Sequence, residues 1–251
     1  SQFGERLDYL GDTRAGNGVG DIAVTYKSDL DPGTADNVIF VLRGRTLLVP
    51  GMNFTDFVAG TDLRIDNSTT DTTPEFGISM GSIADQNGDG FRDIVIGGNL
   101  EGATQGRVWI VSGSRVGTID ITNSANYLTK FTANSAGGPR IGTGVANNAL
   151  ATNPDINGDA VEDLVISASG GLHIWYGGTI PTGDVGTDTR DHLVTRPVGF
   201  TNSHALFSPP TVPAIWAGDV NNDGLPDLAW SDWLAGGAGT ATGLFEVLFD
   251  E

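Results

Sequence analysis

The sequence predicts an all-β protein made of four similar units arranged around a common axis. Three observations predict it. An acidic nonapeptide recurs at a near-fixed interval, short strand-like stretches follow each copy in the same order, and no long helical period is present. The length of 251 residues suits one large all-β domain or two small ones.

The nonapeptide reads "DQNGDGFRD" (Asp85–Asp93), "DINGDAVED" (Asp155–Asp163) and "DVNNDGLPD" (Asp219–Asp227), with starts 70 and 64 residues apart. Each copy runs into an apolar stretch: "IVIGG" (Ile94–Gly98), "LVISA" (Leu164–Ala168) and "LAWSD" (Leu228–Asp232). A second alternation follows: "RVWIVSG" (Arg107–Gly113), "LHIWYGG" (Leu172–Gly178) and "LFEVLF" (Leu244–Phe249). A worn copy opens the chain. "FGERLDYLGD" (Phe3–Asp12) matches "FGISMGSIAD" (Phe76–Asp85) in spacing, and "GNGVGDIAVTY" (Gly16–Tyr26) and "NVIFVLRG" (Asn37–Gly44) follow it. The units run roughly over 1–70, 71–135, 136–205 and 206–251, within a single domain 1–251 that no linker or low-complexity tract divides.

No stretch longer than about ten residues holds a 3.6-residue apolar period, so helix content is expected to be low. The 37 glycines fit many turns between short strands. A unit of three or four antiparallel strands cannot bury both of its faces alone. Copies must stack, and radial stacking gives a β-propeller with one blade per unit. Four blades either close on themselves or belong to a larger ring. The fourth unit stops after its third strand, so its blade is expected to have three strands, with an edge left exposed or filled by a neighbouring chain.

Composition narrows the setting. The chain has no Cys, which removes disulfides and thiolate metal sites. Its net charge of −18 makes nucleic acid and anionic membranes poor partners. No apolar run reaches the roughly 18–20 residues that span a bilayer. No secretory leader is evident, and Ser1 in place of Met fits a processed product.

The placement of the acids points to a cation. Places 1, 3, 5 and 9 of the nonapeptide are Asp85, Asn87, Asp89 and Asp93, then Asp155, Asn157, Asp159 and Asp163, then Asp219, Asn221, Asp223 and Asp227. Alternate side chains of a tight loop converge on one point, and place 7 adds a backbone carbonyl from Phe91, Val161 or Leu225. Ca2+ takes 6–8 oxygens at roughly 2.3–2.6 Å, which such a loop supplies. Without a cation the carboxylates repel one another. Place 6 is Gly90 and Gly224 but Ala160 in the middle copy, so the middle site is expected to be the most distorted. An EF-hand is excluded, because place 12 is Ile96, Ile166 or Trp230 within strand-like runs rather than Glu before a helix. The worn loop Asp12–Asp21 has one residue inserted and Arg14 at its third place. It is expected to be metal-free, with the Arg14 guanidinium in the place of the ion.

Phe-Gly, then Asp-x-Asn-x-Asp-Gly-x-x-Asp, then a strand ending in Gly, resembles the FG-GAP repeats of integrin α-chain propellers and their bacterial relatives. The resemblance covers nearly the whole chain. It implies a β-propeller with Ca2+ in the loop joining the first two strands of a blade, and a role in extracellular adhesion or ligand recognition. The departures are a Phe-Gly that becomes Ile141-Gly142 in the third unit and is absent from the fourth, and four units where integrin propellers have seven blades.

The expected function is therefore that of an extracellular, secreted or cell-surface module for adhesion, recognition or assembly. Its partner would be a protein or glycan on a propeller face. No HExxH, GxSxG, P-loop or dinucleotide fingerprint is present, and His173, His192 and His204 are scattered, so an enzyme is not expected. A lectin-like propeller is the alternative, with a polysaccharide-active enzyme behind it. Among the five Trp, Trp109 and Trp175 occupy equivalent strand positions and read as core, while Trp230 and Trp233 are the better sugar-stacking candidates and Trp216 is a further one. Segments 53–74 and 178–211 are the longest candidate binding loops, and Asn53 and Asn67 open glycosylation sequons.

Overall fold

The computed structural model describes residues 2–14, 18–27, 37–44, 57–68, 76–98, 106–132, 141–145, 155–168, 171–195, 215–224, 227–232 and 244–248. Among them, all regular structure is β-strand apart from two three-residue 3-10 turns, Ser124–Asn126 and Thr187–Thr189. None of the described residues forms a helix long and apolar enough to cross a membrane.

The first unit is an antiparallel meander of β1 (Gln2–Gly11), β2 (Asp21–Lys27), β3 (Asn37–Leu42) and β4 (Leu63–Asp66). The second repeats the order with β5 (Phe76–Ile83), β6 (Asp93–Gly98) and β7 (Arg107–Val111). It then interposes a short β8 (Gly117–Asp120) before its outer strand β9 (Thr129–Thr132). The third does the same with β10 (Ile141–Val145), β11 (Leu164–Ala168), β12 (Gly171–Trp175), β13 (Gly183–Gly186) and β14 (His192–Thr195). The fourth has β15 (Ile215–Gly218), β16 (Asp227–Asp232) and β17 (Leu244–Leu248), a three-stranded sheet.

The short strands β8 and β13 leave their own units. β8 pairs in parallel with β4 of the first unit, placing Gly117 beside Leu63 and Ile119 beside Ile65. β13 pairs in parallel with β9 of the second, placing Gly183 beside Thr129 and Val185 beside Phe131. Both glycines are left-handed, at φ +80° and +85°, and their N–H groups donate to the carbonyls of Asp62 (2.8 Å) and Leu128 (2.7 Å). Side chains fasten each addition: the Ser68 hydroxyl donates to Asp120 at 2.5 Å, and the Tyr127 hydroxyl and Lys130 ammonium donate to Asp184 at 2.6 and 2.9 Å. Each of the first two sheets thus has five strands, the last on loan from the next unit.

These pairings correct the loop assignment made from the sequence. The described parts of segments 53–74 and 178–211 contain the sheet strands β4, β13 and β14, so these segments are not loops throughout. Four-residue strands with one or two apolar residues give too short an alternation to register as strands. Asn67, just after β4, is 2% exposed, so the folded chain has no room for a glycan there; Asn53 lies outside the described residues.

Burial explains why the units stack. Along β6 and β7, Ile94, Ile96, Trp109 and Val111 face the first sheet and join Leu10, Ile39, Val41, Leu63 and Ile65 in one core. Their alternates Val95, Val108 and Ile110 face the third sheet and join Phe131, Leu164, Ile166 and Trp175 in another. The period of two that marks these strands is thus met by apolar partners on both sides. Trp109 and Trp175, 2% and 0% exposed, are core residues as expected; Phe76 meets Trp109 edge-on at 5.4 Å and Phe131 meets Trp175 at 4.5 Å. The Phe-Gly pair marks a β-bulge: β5 shifts register between Phe76 and Ser79. Gly77 sits there at φ +77°, so close to the first sheet that a Cβ would lie 2.8 Å from Thr25.

Candidate metal centre

Each nonapeptide links the first strand of a sheet to the second, and its backbone is wound by two left-handed residues. In the second unit these are Gly88 and Gly90, at φ +75° and +87°. In the third they are Gly158 and Ala160 (+74°, +67°), and in the fourth Asn222 and Gly224 (+64°, +95°). Place 4 therefore shares the requirement that the sequence displayed at place 6, and Asn222 meets it because Asn tolerates this conformation. Ala160 adopts it against its Cβ.

The winding turns backbone N–H groups inward onto the first Asp. Asp85 accepts from the amides of Asn87, Gly88 and Asp89 on one oxygen (3.1, 2.7 and 3.2 Å) and from Gly90 on the other (2.6 Å). Asp155 accepts from Asp159 and Ala160 (2.9 and 2.7 Å), and Asp219 from Asp223 and Gly224 (3.1 and 2.9 Å). In all three loops the Asn carbonyl oxygen accepts from the amide of place 5, and its amide donates to that Asp's carboxylate. One hydrogen-bond scheme is thus repeated three times.

The ninth residue closes each loop. Asp93 accepts from the Gln86 and Gly113 amides (2.8 and 3.2 Å), and Asp163 from Ile156 and Gly177 (2.7 and 2.8 Å). Gly113 and Gly177 each lie two residues after the third strand of their units. A Cβ on either would collide with the carbonyl of place 8, Arg92 or Glu162. That close approach is the reason for a Gly after the third strand. Asp227 accepts from Val220 (2.5 Å), while its buried Oδ1 has no partner among the described residues.

Oxygens of Asp85, Asp89 and Asp93 lie within 4.8 Å of one another. Two ligands on one Ca2+ are separated by at most about 5 Å, so the trio fits such an ion. Among the described residues it is the one acidic trio gathered so tightly, and the corresponding acids of the other two loops are not drawn together to that degree. The second loop also has help the sequence did not reveal. The Ser112 hydroxyl donates to Asp89 at 2.6 Å and lies 2.7 Å from the Ser114 hydroxyl. Phe91 and Val161 occupy place 7, and their amides donate to Asp89 and Asp159. Leu225 lies outside the described residues.

Burial dominates the electrostatics of the closing acids. Burial pushes the Asp93 carboxyl up to about 6, with Asp89 and Asp85 adding to it and two backbone amides opposing. Burial likewise pushes Asp163 up to about 6. Burial also pushes Asp89 upward, but donation from Ser112, Asn87 and Ser114 outweighs it and leaves Asp89 below its usual value.

The worn loop shares the closing bond: Asp21 accepts from Gly44 (2.6 Å) and Thr13 (3.0 Å). A guanidinium does reach it, but it belongs to Arg43, not Arg14. Arg43 follows β3 at the place that Ser112 holds after β7. Its Nη1 donates to Asp21 at 3.0 Å and to the Thr13 hydroxyl, and its Nη2 donates to the Gly113 carbonyl at 2.7 Å. Both partners of the ion pair are almost wholly buried. Arg14 instead donates to the Thr61 carbonyl at 3.2 Å. Nothing in local spacing marks a residue 22 positions after Asp21 as its partner.

Of the remaining candidates, His173 is buried on β12 beside Trp175, and His192 is exposed on β14. The side chains of Trp216 and Trp230, and all of Trp233 and His204, lie outside the described residues. No protein-family model matches the chain.

Proposed function

We propose that the four units form a calcium-stabilised β-propeller of the FG-GAP type, working outside the cell as a module for adhesion, recognition or assembly. The observation that carries this reading is one hydrogen-bond scheme around Asp-x-Asn-x-Asp, repeated at the same strand junction of three successive sheets. The donor set is entirely oxygen, which suits a hard cation, and a flexible loop of carboxylates and carbonyls suits Ca2+ better than the rigid octahedron of Mg2+. The stacking of the second sheet between two cores is what a blade requires. Millimolar extracellular Ca2+ fills even weak sites, in keeping with a secreted or cell-surface location.

A clamp repeated in successive units suits a structural role, whereas a catalytic centre is normally unique. The partner on this reading is a protein or glycan bound at a propeller face. Glycan stacking would fall to Trp230 and Trp233, since Trp109 and Trp175 are committed to the core. The test is thermal unfolding before and after EDTA. Ca2+ that binds only the folded chain raises the melting temperature, so EDTA lowers it by several degrees and added Ca2+ restores it. A melting curve indifferent to both would refute the cation reading.

A further inference from the structure

We propose that Asn157 is a site of spontaneous chemical modification, converted to aspartate and isoaspartate through a cyclic imide faster than any other Asn that precedes a Gly in this chain. The sequence holds three such pairs, Asn17 with Gly18, Asn87 with Gly88 and Asn157 with Gly158. In each, the Gly nitrogen is the nucleophile, and Gly has no Cβ to screen it. The fold treats the three nitrogens differently. The Gly18 N–H donates to Asp12 at 2.9 Å and the Gly88 N–H to Asp85 at 2.7 Å. Asp155 accepts from Asp159 and Ala160, while the Gly158 N–H has no acceptor among the described residues. Asn157 and Gly158 are both exposed, so water reaches them.

The electrophile is prepared by the loop itself. The Asn157 Oδ1 accepts from the Asp159 amide at 3.0 Å, which polarises the side-chain carbonyl and takes up the charge that attack places on its oxygen. Asn87 has the same bond at 3.1 Å, so the second and third loops differ in the nucleophile and not in the carbonyl. The Gly158 nitrogen gives its proton to water and bonds to Cγ of Asn157. The Cγ–Nδ2 bond then breaks, and Nδ2 leaves as ammonia with a proton taken from water. Water next opens the imide. Cleavage of the new N–C bond gives aspartate, and cleavage of the original peptide bond gives isoaspartate, with the main chain rerouted through Cγ. In the second loop the bond from Gly88 to Asp85 must break before the nitrogen can attack. A carboxylate is far too weak a base to remove an amide proton, so that bond restrains the nitrogen rather than activating it.

Two further contrasts favour the third loop. Asp89 is held by the Ser112 hydroxyl at 2.6 Å, whereas Asp159 accepts from Asn157 and Val161 and from no hydroxyl among the described residues. Ala160 stands at φ +67° against its Cβ, a strain that opening of the loop relieves. Conversion has a directed consequence. The Asn157 Nδ2 donates to the Asp159 carboxylate at 3.0 Å, and either product exchanges that donor for a second carboxylate. Like charges then meet in the loop that also carries Glu162, the partner of Arg92. The change is irreversible, accumulates with the age of the chain and consumes only water. It does not depend on a cation in the loops.

The test holds the full chain, folded, in warm and mildly alkaline buffer with EDTA. Peptide mapping by mass spectrometry follows the gain from amide to acid at residues 17, 87 and 157. A parallel sample in urea supplies the rates without the fold. In the folded chain residue 157 should convert at least about tenfold faster than 87 or 17, the cost of freeing an N–H from a charged acceptor, and in urea the rates should agree within about threefold. Isoaspartate, read by enzymatic methylation, should appear beside aspartate at 157. The variant Asn157→Gln should lose most of the folded chain's total mass gain, because the longer side chain closes its ring far more slowly. Equal rates in the folded chain overturn the proposal, as does faster conversion at 87 or 17. A preference for 157 that survives in urea belongs to the sequence and not to the fold, and overturns it too. Aspartate without isoaspartate means direct hydrolysis and excludes the imide.

Discussion

Arg92 and Glu162 occupy the same place, the eighth, in two successive acidic loops, and they meet across the gap between their sheets in a two-pronged ion pair of 2.5 and 2.9 Å. Glu162 is 5% exposed and Arg92 30%. The pair ties the second loop to the third, much as Arg43 ties the first to the carbonyl of Gly113. Truncating Arg92→Ala leaves a buried carboxylate without its cation. The expected loss is about 2 kcal/mol in denaturant unfolding, with a large part recovered in the double variant Arg92→Ala, Glu162→Ala. Additive losses would show that the two side chains are not coupled.

Arg43 predicts a contrast with the cation loops. Arg43→Met removes a buried charge from Asp21 and from two carbonyls and should lower stability by about 3 kcal/mol or more. The loss should be the same in Ca2+ and in EDTA, because the first loop contains its own positive charge. A deficit that Ca2+ repairs would mean that the ion enters that loop.

Asp89→Asn tests the second loop with little structural disturbance. The Asn keeps an oxygen for the Phe91 amide and removes one negative charge beside Asp93. Calcium affinity at this site, followed by titration calorimetry, should fall at least about tenfold, while stability in EDTA changes by less than about 1 kcal/mol. Unchanged affinity would place the ion elsewhere.

Acid should stabilise the metal-free protein. Asp8, Asp93 and Asp163 are all raised from 3.8 to about 6 in the folded chain, each chiefly by burial. A carboxyl that holds its proton more tightly when folded contributes stability fully below its unfolded value, and this is lost as pH rises through the folded one. The melting temperature in EDTA should therefore climb as pH falls from about 7.5 to about 5. With saturating Ca2+ the slope should flatten or reverse, since protons then compete with the ion at Asp93 and Asp163. A metal-free melting temperature that falls over this window would contradict the assigned shifts.

Ala160→Gly should raise stability by roughly 0.5–1 kcal/mol, because φ +67° costs Ala energy that Gly does not incur. Gly90→Ala, at φ +87°, should do the reverse. Equal and opposite shifts in urea midpoint are the signature to seek.

The strands β6 and β7 were plain in the sequence because they are runs of Ile, Val and Trp whose two faces are both buried. So was the acidic loop, since its spacing is itself the geometry. β8 and β13 were not, because four residues with one apolar side chain carry no period, and their partners lie in another unit. Arg43 was missed for a related reason. At the end of "NVIFVLRG" a charge reads as solvated, and only the fold brings it to Asp21. Ser112 and Ser114 are ordinary turn residues until β7 sets them beside Asp89.

The borrowed strands also fix an order of dismantling. Each overlaps the unit before it like a roof tile, so neither the second nor the third unit can peel away without baring the flank of its predecessor. A pull from the C-terminal side must shear β13 from β9 lengthwise, breaking a row of bonds together rather than one after another, before the second sheet is reached. Seams of this kind distribute load along the chain, and they do so with as few as four residues apiece.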